Sequence, residues 1–233
     1  MSRKRLPDNS TAGGIAVNVL LAALSLFVNG FGVYLTIHAN IGAAPWDVFN
    51  LGLSKTLGTL YGNASVAVSF TILGIDILLR EPIGLAMIVD SITVGKSVDL
   101  FNTLNIIPSP KNLADSILMM ILGLFIVGYT QYTYMRSALG CGPRDTLLVG
   151  LNKRMKKLPI GAVSIALLSV VTLIGWLLGG QVGVGTLICA FLSGPIMQLA
   201  FRTVHFDATM ILHQNILESF RVLLGTLRKR KAG

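Results

Sequence analysis

Ala39-Asn40-Ile41-Gly42-Ala43-Ala44-Pro45-Trp46-Asp47 returns 98 residues later as Ser137-Ala138-Leu139-Gly140-Cys141-Gly142-Pro143-Arg144-Asp145. Both copies follow a long apolar run, and both place Gly-x-x-Pro-x-Asp where that run ends. Proline suits the first position of a helix, because its missing N–H would find no partner there anyway. An aspartate two residues further on faces the positive end of the helix dipole. The preceding glycines permit a sharp turn. Each copy therefore predicts the same sequence of events. A long helix ends, the chain turns, a short helix begins (over 45–58 and 143–155), and the carboxylate caps it.

The likeness continues outward. Gly52-Leu53-x-Lys55 matches Gly150-Leu151-x-Lys153, and after one inserted residue Gly62, Ser65, Ile83-Gly84 and Gly95 match Gly161, Ser164, Val182-Gly183 and Gly194. Stretches free of Asp, Glu, Lys and Arg then mark the membrane spans, since a spanning helix needs about 20 mostly apolar residues. Such stretches cover 9–46, 56–75, 116–135 and 158–201. They predict spans near 14–38, 62–80 and 114–136. The last stretch is too long for one helix and carries Gly179-Gly180-Gln181 near its middle, so it predicts a hairpin of 160–178 and 183–203. The segment 83–104 carries Asp90, Lys96 and Asp99, but the repeat makes it the counterpart of the last span.

The expected fold is all-α: a polytopic membrane helix bundle of six spans, arranged as two three-span repeats. It also has two short proline-started helices and a C-terminal amphipathic helix. The organisation reads as a basic N-terminus (1–13), a first repeat (14–104), an external linker (105–113), a second repeat (114–206) and a basic tail (207–233). An odd number of spans per repeat inverts one copy relative to the other, a frequent plan among transporters. With the N-terminus in the cytoplasm, 16 of the 19 lysines and arginines fall on the inner side, Lys55 and Lys111 fall outside, and Lys96 lies within the membrane. That bias agrees with the positive-inside rule and puts both termini in the cytoplasm. Ser2-Arg3-Lys4-Arg5 before an apolar run has the look of a signal peptide, but the run is long and others follow, so it reads as an uncleaved first span.

Composition supports the class. The chain has 233 residues, of which 53% are hydrophobic and 12% charged, with net charge +9. Soluble domains carry about 25% charged residues, and disorder requires low hydrophobicity. A nucleic-acid partner is not expected, because the positive charge is not borne on a polar chain. Cys141 and Cys189 form neither a disulfide framework nor a zinc motif. His205-x-Asp207 with His213 fits no metal-ligand spacing. No phosphate loop, dinucleotide fingerprint or nucleophile elbow occurs, so neither a cofactor nor enzymatic activity is expected.

Ionisable residues inside a span are costly and usually paired or functional. Asp76, Asp90, Lys96 and Asp99 are therefore candidates for binding a substrate or coupling an ion, and all four lie in the first repeat. From the turn at Glu81-Pro82, Asp76 and Asp90 stand at about 8 and 13 Å at 1.5 Å per residue, so a carboxylate pair is one expectation. Lys96 and Asp99, three residues apart, are expected to meet on one helix face. Pro45, Asp47, Pro143, Arg144 and Asp145 are expected to fix the short helices. Those helices fit two placements: flat on the membrane surface with Trp46 as an interfacial anchor, or re-entrant with their N-termini aimed into the protein. Gly183, Gly185 and Gly194 suit close packing or a cavity lined by backbone. Gly194-Pro195 is expected to kink the last span. The tail from Asp207 onward spaces Leu212, Ile216, Phe220, Leu223 and Leu227 along one helical face and ends in Arg228-Lys229-Arg230-Lys231, which suits an anionic lipid surface or a partner protein.

At Gly42-x-x-Pro45-Trp46-Asp47, Gly140-x-Gly142-Pro143-Arg144-Asp145, Gly183-x-Gly185-Thr186 and Gly194-Pro195, the chain resembles the YczE/YyaS/YitT family of bacterial integral membrane proteins. The resemblance runs from about Leu20 to Phe206. It implies a bacterial plasma-membrane location and implies no reaction; some members are associated with secondary-metabolite production. The first copy departs from the second in having Leu85-Ala86-Met87 where Val184-Gly185-Thr186 stands.

Two functions fit these features. One is a small-solute transporter or permease with its site between the repeats, taking a small molecule or ion. The other is a non-transporting accessory protein for a biosynthetic or export assembly, or a substrate-capture subunit. Expected partners are the lipid bilayer together with another membrane protein or a second copy of the chain.

Overall fold

A computed structural model describes residues 9–155, 157–207, 211 and 213–231. Among these the regular structure is entirely helical: α1 (Ala12–His38), α2 (Pro45–Leu57), α3 (Tyr61–Leu78), α4 (Leu85–Leu104), α5 (Leu113–Arg136), α6 (Pro143–Arg154), α7 (Ile160–Leu177), α8 (Val184–Thr203) and α9 (Ile216–Lys231). Side chains cap the two longest helices. Thr11 Oγ1 accepts from the Gly14 N–H at 3.0 Å, and Asn112 Oδ1 accepts from the Asp115 N–H at 2.9 Å.

Five helices, α1, α3, α5, α7 and α8, are long and apolar enough to cross a bilayer, which is the pattern of a multi-pass membrane protein. The 20 residues of α4 reach about as far, ~30 Å at 1.5 Å per residue, but its three charges set it apart. Asp90, Lys96 and Asp99 leave it without the apolarity of the other five. It packs between α1 and α3 nonetheless. The long uncharged stretch breaks as expected, at Gly179, whose φ of +88° ends α7.

Corresponding turns of the two copies share left-handed backbone. Asn40 and Ala138 have φ of 55° and 56°, and Gly42 and Gly140 have φ of 111° and 123°. Each turn docks on the start of a long helix from the other copy. The Gly185 N–H donates to the Ile41 carbonyl at 2.7 Å, and the Ala86 N–H donates to the Leu139 carbonyl at 3.0 Å. Small residues make this approach feasible. A Cβ at Gly183 would lie 2.5 Å from the Ile41 oxygen, and one at Gly185 would lie 2.5 Å from Met120 Cε. Gly32 and Gly123 do the same service where α1 crosses α5. Beyond these contacts, α5 packs on α8, α2 packs on α7 and α3, and α6 packs on α3 and α7.

The tail differs from expectation. The final helix begins at Ile216, not near Asp207. Asn215 sets that start. Its side chain accepts from the Glu218 N–H at 2.9 Å while its own N–H donates to the Glu218 carboxylate at 3.0 Å, a reciprocal cap. The preceding residues are held by the turns: the Gln214 N–H donates to the Ala138 carbonyl and the Ile216 N–H to the Ile83 carbonyl. Ser219 is buried while Phe220 is exposed, together with Leu217 and Leu224. Leu212 and the side chain of Leu227 lie outside the described residues. Pro195 sits inside α8, which runs unbroken from Val184 to Thr203.

Candidate functional site

The two short helices begin at Pro45 and Pro143, as expected. Their aspartates occupy the third helical position, yet neither helix has a side-chain cap. The carboxylates turn away from their own helices to partners elsewhere. Asp47 Oδ1 accepts from the Tyr61 hydroxyl at 2.8 Å and lies 3.8 Å from the Arg144 guanidinium. Asp145 Oδ2 accepts from Gln131 Nε2 at 3.4 Å. The Arg144 guanidinium also sits 5.3 Å from the centre of the Trp46 ring. Trp46 and Arg144 occupy the same position of the two copies, so the two helix starts face one another. Trp46 is thereby turned to Arg144 and a cavity. Asp47, Val48 and Asn50 are buried, and Pro45 and Trp46 half-buried, at the start of α2.

The helix starts border a cavity of about 710 Å³, which also collects Asp90 from α4 and Gln131 and Tyr134 from α5. Asp90 reaches the start of α6, where a Cβ on Gly142 would lie 3.0 Å from its Oδ2. The mouth of the cavity carries Glu81 and Lys153, with His213, Gln214 and Asn215 across it. Glu81 is buried and tied to Lys153 at 2.5 Å and Arg154 at 3.4 Å. The hydrogen bond from Lys153, ahead of the other attractions, holds the Glu81 carboxyl below the usual carboxylate range. Cys141 lines the cavity with its Sγ 3.2 Å from His213 Nε2. Burial first, and then the charge of Asp145, push its thiol up to about 12. Burial lowers the imidazole of His213.

A second cavity, of about 630 Å³, lies at the other end of α4, among Lys55, Tyr61, Asp99, Pro110 and Gln181. Tyr61 belongs to this cavity and its acceptor Asp47 to the first. The Tyr61–Asp47 hydrogen bond, backed by the Asp47–Arg144 pair, therefore links the linings of two cavities at opposite ends of α4.

Among the residues singled out from the sequence, Pro45, Asp47, Asp90, Arg144, Asp145 and Gly194 come together at the larger cavity. Asp76, Lys96 and Asp99 do not. No Asp76–Asp90 pair forms. Asp76 is fully buried in α3 with both oxygens unpartnered among the described residues, and its acidic neighbour is Glu81. Lys96 and Asp99 do not pair either. Lys96 points outward and donates to Asn63 Oδ1 at 2.5 Å. Asp99 accepts from the Gly62 N–H at 2.7 Å, so it serves a free first-turn donor of α3. Gly183 and Gly185 are packing residues, whereas Gly194 has open space beside it and lines the cavity. Tyr61, Gln131 and Tyr134 were not singled out. Gln131 and Tyr134 lie in a run of hydrogen-bonding side chains, Tyr129-Thr130-Gln131-Tyr132-Thr133-Tyr134, at the end of an apolar span, and nothing local marks these two among them.

The family model described as "Family of unknown function (DUF6198)" matches residues 16–202. The chain belongs to that family. It is 29% identical over 177 residues to the "Uncharacterized membrane protein YczE" of Bacillus subtilis (strain 168), covering 75% of this chain and 81% of the relative. It is 30% identical over 188 residues to an "Uncharacterized protein" of Haemophilus influenzae, covering 81% and 84%. It is 26% identical over 181 residues to the "Uncharacterized protein YyaS" of Bacillus subtilis, covering 76% and 88%. These bear out the YczE-like family that the glycine and proline motifs imply, and with the apolar helices they make the chain a membrane protein. No solved structure matches it.

Proposed function

We propose that this protein is a small-solute permease of the bacterial plasma membrane that works by alternating access. Its site lies where the starts of α2 and α6 meet. In this reading α4 is a sixth span, the two copies have inverted topology, both termini are cytoplasmic, and α2 and α6 are re-entrant from opposite sides. The observation that carries it is the pair of cavities at opposite ends of α4, whose linings are linked by the Tyr61–Asp47–Arg144 contacts. Reciprocal packing supports the inversion: α2 lies on α7 as α6 lies on α3, and α1 meets α4 as α5 meets α8. Helix starts near the midplane, facing one site from two repeats, are a recurrent transporter arrangement.

The test uses Asn102, which lines the cavity at the Lys55 end, and Cys141, which lines the other. In proteoliposomes, Asn102→Cys and Cys141 should each react with an impermeant maleimide from one side only, and from opposite sides. Disulfide-linking Tyr61→Cys to Asp47→Cys should stop flux in a solute screen while the reduced protein transports. Labelling of both positions from the same side, or equal flux in linked and reduced protein, would refute the reading.

A second reading has its own observation. On α9, Leu217, Phe220 and Leu224 are exposed on a helix that ends in a basic cluster. An accessory protein that anchors an assembly would use that face. Its removal would then abolish recovery of partners and leave flux absent in every preparation.

A further inference from the structure

We propose that the larger cavity binds a small organic cation, an amine or guanidinium attached to an apolar group, between Asp90, Tyr134 and Asp145. Arg144 is the tethered cation with which it competes. This rests on the reading of the cavity as a solute site and adds its chemical class.

The charges inside the cavity do not balance. At the mouth, Glu81 is already matched by Lys153 and Arg154. Deeper in, Asp47 has Arg144. Asp145 has the neutral amide of Gln131 at 3.4 Å and no ion pair, and the charge of Arg144 reaches it and Asp90 only at longer range. Asp90 has no hydrogen bond or ion pair among the described residues. Asp145 is exposed to the cavity and Asp90 is half-buried beside it; neighbouring like charges repel, and a cation between them relieves that repulsion. Independently, Tyr134 is 1% exposed, lines the same cavity, and has a hydroxyl with no partner among the described residues. A buried hydroxyl without a partner is uncommon, and this one is available as a donor or acceptor beside Asp90 and Asp145.

Helix starts ordinarily attract anions. Here each start carries its own aspartate at the third position, and Asp90 adds another, so an anion would meet three carboxylates and one guanidinium. A bare metal ion fits poorly. Among the described residues, no three His, Cys, Asp or Glu side chains are placed to hold one. The volume, about 710 Å³, suits a small organic molecule. Val94, Leu124, Val127 and Met197 supply apolar walls for its body. Trp46 supplies an aromatic face which Arg144 now occupies at cation–π distance. An incoming cation would take over that face or an aspartate, and Arg144 would yield it.

The experiment measures binding, not flux, on the full chain in nanodiscs. Trp176 lies exposed on α7, so Trp176→Phe leaves Trp46 as the only tryptophan reporter. The probes share a phenyl ring and differ in charge: phenethylamine and benzylguanidine (positive), 2-phenylethanol (neutral) and 3-phenylpropionate (negative). At least one cation should saturate and shift the Trp46 emission, with the alcohol at least tenfold weaker and the propionate weaker still. Asp90→Asn should weaken the cation at least tenfold, and Arg144→Gln should tighten it severalfold. Lys96→Met, outside the cavity, should change nothing. The proposal is overturned if neither cation saturates, if the propionate binds as tightly as the amine, or if Asp90→Asn leaves binding unchanged. The probe comparison needs no cavity variant, so a misfolded Asp90→Asn protein does not remove the test. Cation binding without flux would sink the permease alone; flux of an anion would keep the permease and sink this assignment.

Discussion

Replacing Gly84 by alanine isolates the contact that joins the two copies. Gly84 is the residue just before α4, with φ of −104°, which any residue adopts, so the backbone itself takes no strain. The added methyl would overlap the Leu139 carbonyl oxygen and lie 2.6 Å from Gly140 Cα. Carbon atoms pack at roughly 3.5–4.0 Å, so the Leu139–Gly140 turn must withdraw by about 1 Å. Backbone lies on both sides, and no side-chain rotation can relieve the clash. The withdrawal breaks the 3.0 Å bond from the Ala86 N–H to the Leu139 carbonyl. Leaving such buried groups unsatisfied costs about 1–3 kcal/mol, and overpacking costs a further 1–3 kcal/mol or so. The expected loss is thus roughly 2–6 kcal/mol, or on the order of 5–15 °C in Tm for a chain of this size. Gly74 is the control. It lies in α3 with nothing within 4 Å of its would-be Cβ, so Gly74→Ala should stabilise by up to about 1 kcal/mol through helix propensity. The assay is thermal unfolding of purified protein in a mild detergent, followed by near-UV circular dichroism and by the monodisperse fraction on gel filtration. A loss below about 1 kcal/mol for Gly84→Ala, or an equal loss for Gly74→Ala, would refute the reasoning.

Three further outcomes follow from the same geometry. Tyr61→Phe removes the donor to Asp47; it should lower stability by roughly 1.5–3 kcal/mol and let a maleimide presented at the Lys55 end reach Cys141, as read by mass spectrometry. The depressed Glu81 carboxyl stabilises the fold above the ordinary unfolded carboxylate pKa of about 4.3, and that contribution is lost as pH falls through the lower folded value. The Tm difference between wild type and Glu81→Gln should therefore be constant from about pH 7 to 5 and shrink in more acid solution. Ending the chain at Phe206 removes His213 and its neighbours from the cavity mouth; Cys141 should then react with maleimide at least about tenfold faster as its burial is relieved, while Cys189, packed beside Ala39 and Met120, stays unreactive.

The helices and turns were legible because their determinants are local. Pro45 and Pro143 mark helix starts by lacking an N–H, Gly42, Gly140 and Gly179 mark turns by their positive φ, and charge-free runs mark the spans. The charged pairs were not legible in the same way. Position along a helix gives height, but the side to which a residue points depends on what its neighbours offer. Lys96 and Asp99 are close in sequence, yet Asn63 takes one and the Gly62 N–H takes the other. Asp76 and Asp90 share a depth but face different surroundings, Glu81 for the first and the start of α6 for the second.

The sequence by itself determined that this is a helical membrane protein built from two related halves, with a Gly–Pro–Asp element opening a short helix in each. Only the tertiary structure decided that these elements meet, that Arg144 of one copy answers Asp47 and Trp46 of the other, and that Asp90 and Tyr134 complete the cavity between them. The reason is range. Helix starts, turns and apolar runs are fixed by neighbours a few residues away, whereas the cavity joins side chains as far apart in the chain as Asp90 and Tyr134 or Asp47 and Arg144. Their meeting depends on how closely backbones approach at Gly84, Gly140, Gly42 and Gly183.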